Sequence, residues 1–237
     1  MEKLFTGAKK LGLELNLRQI EQFRTYYQEL IDWNQRVNLT RITDYEEVQI
    51  KHFLDSLMVV LALRQPAGGV SLIDVGTGAG MPGIPLKILL PDIKLVLLDA
   101  TAKKAAFLHH LKHKLGLEDV GIVVGRAEDI AREAQHREKF DIVLSRAVAS
   151  LPTLVELTLP FCAVGGSFIA QKKGVIDREI IQATRAIGLM GGNLREVKRV
   201  HLEGFTNERQ LIIIDKVLST PHQYPRRSGI PAKRPLL

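Results

Sequence analysis

The residues best suited to chemistry lie in one glycine-rich stretch, Asp74-Val75-Gly76-Thr77-Gly78-Ala79-Gly80-Met81. Gly76 and Gly78 let the backbone turn sharply and approach a ligand closely, because neither carries a Cβ. The spacing is Gly-x-Gly-x-Gly, and Met81 stands where a dinucleotide-binding loop has its last glycine. A bulky side chain there crowds a diphosphate but can pack on adenosine or methionine. The loop therefore favours S-adenosylmethionine over NAD, although an isolated glycine cluster can also be a plain turn.

Two more polar stretches follow at intervals that suit the same site. Asp99 comes about 20 residues after the glycine loop and ends an apolar run, where a carboxylate can accept both hydroxyls of a ribose. Residues 125–129, Gly-Arg-Ala-Glu-Asp, follow the next apolar run, where backbone amides and a carboxylate could read an adenine edge. Asp99 alone could equally be a helix N-cap. Three such features at successive strand ends predict a cofactor site.

The elements that must position these residues alternate between strand and helix. Short apolar runs predict strands at 70–75, 94–98, 120–124, 141–144 and 167–171, with a final pair at 196–202 and 209–215. Helical stretches are predicted at 86–90, 103–115, 127–133, 151–161 and 179–188. This alternation predicts a Rossmann-like α/β fold with a doubly wound, mostly parallel sheet. Before it, two helices are predicted, at 16–36 with Asn16 as N-cap and at 44–63 with Asp44 as N-cap.

The chain divides by composition into three parts. Residues 1–65 form an N-terminal helical element, the Pro/Gly-containing break at 65–69 leads into a methyltransferase-type domain at 66–216, and a basic, proline-rich tail occupies 217–237. Beyond Asp215 there is no acidic residue. The tail has no packing pattern, so we expect it to be flexible and to become ordered on RNA. Deleting residues 219–237 should then weaken RNA binding and spare cofactor binding.

Overall composition narrows the class of protein. The net charge of +7 favours polyphosphate partners through counterion release, although simple solubility would explain it equally. The single cysteine, Cys162, allows no intramolecular disulfide, and neither a secretory leader nor a membrane span is expected, so we predict a cytoplasmic protein. His109 and His113 lie one helical turn apart, but flanking lysines would repel a cation. We therefore predict no metal site.

Several motifs resemble one known family. The stretches 74–85, 33–40, 52–56, 145–149 and 224–231 are similar to those of the ribosomal small-subunit methyltransferase G family, also called glucose-inhibited division protein B. The resemblance implies methylation of a guanine N7 in 16S ribosomal RNA. It also implies that a set of residues contacts the cofactor: Gly76, Met81, Ala100, Thr101, Ala102, Ala127, Glu128 and Arg146. Met81 replaces the Leu or Phe typical of the family at that position.

The end of the fourth predicted strand should lie at the reaction centre. Guanine N7 carries an in-plane lone pair and needs no general base, so positioning and electrostatics would suffice. The sequence Leu144-Ser145-Arg146-Ala147 differs from the Asn/Asp-Pro-Pro-Tyr-like loop of amine methyltransferases, and Cys162 has no activating neighbour. Arg146 is the candidate catalytic cation, orienting the cofactor carboxylate or holding guanine O6. A surface salt bridge is the alternative.

Candidate RNA contacts are polar or basic residues outside the cofactor motifs, each of which could instead be a cap or a solvated side chain: Asn34, Asn38, His52, Lys172, Arg199, Arg226 and Arg227. The expected partner is 16S ribosomal RNA or the small ribosomal subunit, and the protein is expected to be a monomer. Three other functions remain open: a methyltransferase of the same fold acting on a small molecule or protein, a non-catalytic nucleotide-binding regulator, and an NAD-dependent oxidoreductase.

Overall fold

A seven-stranded sheet with the order β3-β2-β1-β4-β5-β7-β6 forms the centre of the computed structural model. The structure describes residues 1–64, 69–146, 149–201 and 208–237. The strands are β1 (Ser71–Val75), β2 (Lys94–Asp99), β3 (Val120–Val124), β4 (Phe140–Arg146), β5 (Cys162–Lys173), β6 (Gly192–Val200) and β7 (Arg209–Lys216). β7 runs antiparallel to both β5 and β6, whereas β1 to β5 pair in parallel. The predicted doubly wound, mostly parallel sheet is confirmed.

The N-terminal half of the chain covers one face of the sheet. Its helical segments are α1 (Glu2–Lys10), α2 (Leu17–Asn34), α3 (Tyr45–Val48), a π-helical turn (Gln49–Leu54), α4 (Asp55–Leu57), a 3-10 turn (Met58–Ala62), α5 (Gly83–Leu89) and α6 (Ala102–Leu115). They share one hydrophobic core. The sequence did not indicate α1. The helix predicted over 44–63 is present as a continuous helical stretch, residues 45–62, with Asp44 as its N-cap, although its hydrogen bonding changes between α, π and 3-10 types. The predicted boundary at residue 65 lies outside the described residues.

Asn16 begins α2 as the sequence predicts. Its side chain accepts a hydrogen bond from the Gln19 backbone, and the Gln19 side chain accepts one from the Asn16 backbone, which completes a capping box. The apolar periodicity of the sequence predicts a buried face that includes Leu17 and Tyr27. In the structure Leu17 is 90% exposed, and the neighbouring Tyr26 is the fully buried tyrosine. The Tyr26 hydroxyl donates a 2.5 Å hydrogen bond to the carbonyl of Ala79. α2 therefore supports the glycine loop directly.

The second face of the sheet carries α7 (Ala127–Ile130), α8 (Leu151–Thr158), a 3-10 turn (Leu159–Phe161) and α9 (Asp177–Leu189). These elements pack with the sheet around a second hydrophobic core, which also receives Tyr224 and Leu236 from the end of the chain. The helix predicted over 127–133 is only one turn long. The last residue of the strand predicted over 196–202 lies outside the described residues.

The prediction that residues 217–237 lack packing is wrong. Thr220, Pro225 and Pro231 are buried, and residues Ile230–Lys233 form a short helix, α10. The segment is held mainly by hydrogen bonds to charged side chains of the domain, such as those from Arg137 to the carbonyls of Thr220 and Tyr224. A segment held by hydrogen bonds to charged side chains shows no apolar periodicity, so the sequence does not predict that residues 217–237 pack on the domain.

Candidate functional site

The glycine loop connects β1 to α5 at the carboxyl end of the sheet. Gly76, Gly78 and Gly80 have φ angles of 74°, 61° and 94°, in the left-handed region that favours glycine. A Cβ on Gly80 would lie 2.6 Å from Cδ1 of Ile84, whereas a Cβ on Gly78 would meet nothing within 4 Å. Packing against Ile84 therefore requires a glycine at position 80, whereas the backbone at Gly78 borders open space that a ligand can enter.

Asp99 joins the ends of β1 and β2. Its Oδ2 accepts a 3.0 Å hydrogen bond from the Gly78 amide, and its Oδ1 accepts one of 2.9 Å from the Thr101 amide. The side chain is almost buried, and the Lys104 ammonium lies 3.6 Å from Oδ2. Each carboxylate oxygen keeps a second lone pair, so Asp99 can hold the loop and still accept from a ligand hydroxyl.

A cavity of about 110 Å³ opens beside Asp99. We call it the cofactor cleft, and its lining residues are Val75, Gly76, Leu98, Asp99, Ala100, Gly125, Arg126, Ala127, Glu128, Ser145, Leu154 and Leu157. Five of the residues that the sequence assigns to the cofactor thus lie together here: Gly76, Asp99, Ala100, Ala127 and Glu128. Met81 is instead buried in the first hydrophobic core, and Ala102 begins α6 at the edge of the site.

Asp74 is a site residue that the sequence analysis missed. It is fully buried under the glycine loop, where Oδ2 accepts hydrogen bonds from the Thr77 hydroxyl at 2.7 Å and the Gly83 amide at 2.9 Å. Its Oδ1 has no hydrogen-bond partner. Burial raises the pKa of Asp74 to about 6, against the lowering effect of those hydrogen bonds. An acidic residue two positions before Gly76 was the signal available in the sequence.

Arg146 lies in a second group of residues, which we call the Asp55 cluster: Asp55, Arg146, Lys172, Lys173 and Arg209. Nη1 of Arg146 donates to Oδ2 of Asp55 at 3.0 Å, and Nε of Arg209 donates to Oδ1 at 2.6 Å. Asp55 is 3% exposed, so one buried carboxylate holds two guanidinium groups. Asp55 lies in one of the family-like motifs, but nothing in the sequence places it beside Arg146 and Arg209.

The lysines of the Asp55 cluster extend it along β5. Nζ of Lys172 donates to the carbonyl of Ala149 at 2.6 Å and pairs with Glu179 at 2.8 Å. Burial and the nearby Arg209 lower the pKa of Lys173. Glu179 and Asp55 thus face the four cationic side chains of the cluster, and Lys173 is the exposed one among them.

His52 is next to this cluster but is held inside the protein. Its Nε2 lies 2.7 Å from the Thr40 hydroxyl, and burial together with Arg146 lowers its pKa to about 3. The imidazole is therefore neutral and does not attract phosphate. The side chain of Asn34 caps a turn by accepting from the amides of Leu39 and Thr40, whereas Asn38 is exposed. The structure thus gives Asn34 the capping role that the sequence left open.

The other predicted RNA contacts are dispersed. Arg199 is exposed on β6 and lies 3.7 Å from Asp177, and Arg227 is exposed on the C-terminal segment. Arg226 forms a bidentate ion pair with the fully buried Glu156, its Nη2 lying 2.6 Å from Oε2. The side chain of Arg226 is therefore engaged within the protein, which corrects its prediction as a phosphate contact. The family-like motif 145–149 is described except for residues 147 and 148.

Unsatisfied polar atoms gather at one edge of the sheet. Across the described part of the chain, four buried side-chain atoms have no hydrogen-bond partner: His52 Nδ1, Asp74 Oδ1, Gln171 Oε1 and Gln210 Oε1. Asp74 and Gln171 lie near the carboxyl ends of β1 and β5, Gln210 lies at the start of the antiparallel β7, and the His52 carbonyl contacts Arg146. Gln171 and Gln210 border the Asp55 cluster, and Asp74 lies under the glycine loop.

Residues 1–64, 69–146, 149–201 and 208–237 contain neither a metal-binding cluster nor a membrane-spanning helix. No group of three or more His, Cys, Asp or Glu side chains within these ranges is arranged to hold a metal ion. His110 instead pairs with Glu29 at 2.6 Å. No helix within them is long and apolar enough to span a membrane.

Comparison with known proteins agrees with the motifs in the sequence. The family model of rRNA small subunit methyltransferase G matches residues 19–212. The chain is 54% identical to the "Ribosomal RNA small subunit methyltransferase G" of Dehalococcoides mccartyi strain CBDB1 and 49% identical to that of Roseiflexus castenholzii, in both cases over the full length of both chains.

A solved structure with a similar fold is geranyl diphosphate C-methyltransferase from Streptomyces coelicolor, with a TM-score of 0.55 and 12% identity over 81% of this chain and 98% of that one. At this identity the likeness concerns the fold alone. The full-length relatives and the family match go further. This chain belongs to the rRNA small subunit methyltransferase G family.

Proposed function

We propose that this protein transfers the methyl group of S-adenosylmethionine to N7 of a guanine in 16S ribosomal RNA. The observation that supports it best is that the cofactor cleft and the Asp55 cluster adjoin at the end of β4, where Ser145 lines the cleft and Arg146 pairs with Asp55. Family membership supports the class of reaction, and a cleft at the strand ends next to a cationic surface supports the choice of cofactor and substrate. The product is 7-methylguanosine within the RNA.

The cleft residues fit a cationic, adenosine-bearing cofactor. Asp99 has lone pairs for the ribose hydroxyls, and the apolar walls at Leu98, Leu154 and Leu157 fit a planar base. Asp74 is fully buried beneath the glycine loop and adds negative charge under the site, which suits a cationic ligand. The charge of the site thus supports S-adenosylmethionine.

The chemistry needs positioning more than proton transfer. When bound, S-adenosylmethionine would supply an electrophilic methyl group. The N7 lone pair would form the new N–C bond as the S–C bond breaks, S-adenosylhomocysteine would leave, and no proton would have to be removed from N7. Arg146 is held by Asp55 at 3.0 Å and by the Ser56 hydroxyl at 3.4 Å, which fixes the guanidinium before substrate arrives. We assign Arg146 to guanine O6, because a donor there selects guanine and orients N7. In this assignment Arg146 contacts the substrate.

The cationic side chains of the Asp55 cluster receive RNA phosphates near the target base. Lys173 is the main candidate, since Lys172 already pairs with Glu179. Exposed Asn38, Arg199 and Arg227 remain candidate contacts farther out. The proposal keeps the division of the chain into residues 1–65, 66–216 and 217–237. It also includes a monomeric protein that binds the small ribosomal subunit in the cytoplasm.

The test is a methylation assay with labelled S-adenosylmethionine and small-subunit RNA, naked or in particles, from cells lacking this gene. Labelled 7-methylguanosine is expected from the unmodified protein. Arg146→Ala should lower the rate by about 100-fold, as loss of one preorganised donor does. Arg18→Ala, which changes an exposed arginine at the start of α2, is the control. Label in another nucleoside, or cofactor binding without transfer to any RNA form, would overturn the proposal.

A further inference from the structure

Residues 217–237, which we call the C-terminal segment, fold back over the second face of the sheet. The amide of Thr220 donates to Glu138 at 2.6 Å, and Arg137 donates to the carbonyls of Thr220 at 2.7 Å and Tyr224 at 3.0 Å. Arg132 donates to the carbonyl of Pro225 at 2.5 Å. These bonds fix the first half of the C-terminal segment to residues that follow α7.

An anchor in the middle of the C-terminal segment attaches it to α8. Glu156 is fully buried, and its carboxylate accepts from the backbone amide of Arg226 at 2.8 Å and from the guanidinium Nε at 2.9 Å. Hydrogen bonding to Glu156 raises the pKa of Arg226. A buried carboxylate needs such a partner. Leu154 and Leu157, on either side of Glu156, line the cofactor cleft.

Three residues after Arg226 the C-terminal segment reaches the cleft itself. The amide of Gly229 donates to Oε1 of Glu128 at 2.8 Å, and the Ser228 hydroxyl donates to Asp129 at 2.8 Å. Glu128 lines the cleft and is 2% exposed, and the same Oε1 also accepts from Arg126 at 3.1 Å. The Gly229 φ of 82° aims this amide at the carboxylate.

We propose that the C-terminal segment is part of the cofactor-binding machinery, with Gly229 as a positioning residue that holds Glu128 in the wall of the cleft. This inference rests on the proposed function, in which the cofactor cleft binds the adenosine end of S-adenosylmethionine. The C-terminal segment contacts both Glu128 and α8, so it sets the width and charge of the cleft. The C-terminal segment therefore acts on cofactor affinity, a role that its basic composition does not suggest.

The first test compares Gly229→Pro with Gly229→Ala in the full chain. Proline removes the amide donor and cannot adopt a positive φ, whereas alanine keeps the donor at some conformational strain. Titration calorimetry with S-adenosylhomocysteine should show a Kd about 10-fold higher for Gly229→Pro and within about 3-fold of the unmodified chain for Gly229→Ala. In methylation assays the KM for the cofactor should rise with kcat and the KM for RNA unchanged.

The second test needs no substitution, so it holds even where Gly229→Pro folds poorly. Because coupling is reciprocal, saturating S-adenosylhomocysteine should slow hydrogen exchange at the Gly229 amide of the unmodified chain by a similar factor. Equal exchange with and without ligand would overturn the inference, as would a Gly229→Pro variant that raises only the KM for RNA. Failure of the unmodified chain to bind the ligand would instead overturn the proposed function.

Discussion

The cofactor cleft and the Asp55 cluster lie at the same edge of the sheet but are built in different ways. In the cleft, the carboxylate of Asp99 accepts from the amide of Gly78, only 21 residues away. In the cluster, Asp55 pairs with Arg209, 154 residues away. Backbone amides and glycines shape the first region, and ionised side chains shape the second. The contact that fixes the glycine loop thus spans a short stretch of chain, whereas the pair that orders the cluster spans most of it.

The two regions also differ in charge. Carboxylates line or underlie the cleft, among them Asp74, Asp99 and Glu128, whereas arginines and lysines dominate the cluster. This separation suits a cationic cofactor on one side and a polyanion on the other. Substitutions in one region should therefore change one kind of binding and leave the other unchanged.

The largest effect is expected for Asp55→Asn. The change leaves two guanidinium groups without their shared buried counter-charge, so the free energy of unfolding should fall by about 3 kcal/mol. Misplacement of Arg146 should lower the methylation rate by about 100-fold. Urea denaturation and the labelled methylation assay measure the two effects.

The affinity of this variant for S-adenosylhomocysteine should stay within about 3-fold of the unmodified chain, since Asp55 does not line the cleft. Glu47→Gln, an exposed change in α3, is the matched control, with stability within about 0.5 kcal/mol. A loss of cofactor affinity as large as the loss of rate would contradict the separation of the two regions.

A smaller effect is expected in the cofactor cleft, for Asp99→Asn. The asparagine side chain keeps one acceptor oxygen but turns an N–H donor toward the backbone amide of Gly78 or Thr101. It also lacks the negative charge that would attract a ribose hydroxyl. The Kd for S-adenosylhomocysteine should rise about 10-fold, while the Kd for RNA stays unchanged. Calorimetry measures the first and filter binding the second. Asp92→Asn, an exposed acidic residue just before β2, should change neither.

The smallest effect is a pH dependence confined to the cleft. Burial raises the pKa of Asp74 to about 6, so its carboxylate becomes protonated, and loses its attraction for a cationic ligand, as the pH falls through that value. Between pH 7.5 and 5.5 the affinity for S-adenosylmethionine should fall about 4-fold. His52, with a pKa of about 3, stays neutral over this range.

Calorimetry at several pH values would measure this decrease, and Asp74→Asn should bind weakly at every pH with a flat profile. A wild-type affinity that is constant down to pH 5.5 would show that Asp74 does not meet the cationic part of the cofactor.

The C-terminal segment illustrates a limit of composition. Its prolines, arginines and lysines are typical of a flexible basic tail. Arg226 nevertheless forms an ion pair with Glu156, a buried carboxylate 70 residues earlier in the chain. The local sequence shows the charge of the arginine but not its partner. The same limit applies to Arg146, for which a salt bridge was one of two interpretations, and the bridge to Asp55 forms at a buried position.

The sequence by itself determined the alternation of strands and helices, the glycine loop, and the spacing from Gly76 to Asp99 to Glu128, because each depends on residues close together in the chain. Its motifs also indicated the family. Only the tertiary structure decided that Asp55 joins Arg146 to Arg209, that Asp74 keeps an orphan oxygen, and that Gly229 reaches Glu128. These depend on desolvation and on side-chain pairing between distant segments, which exist only when the sheet brings the strand ends together.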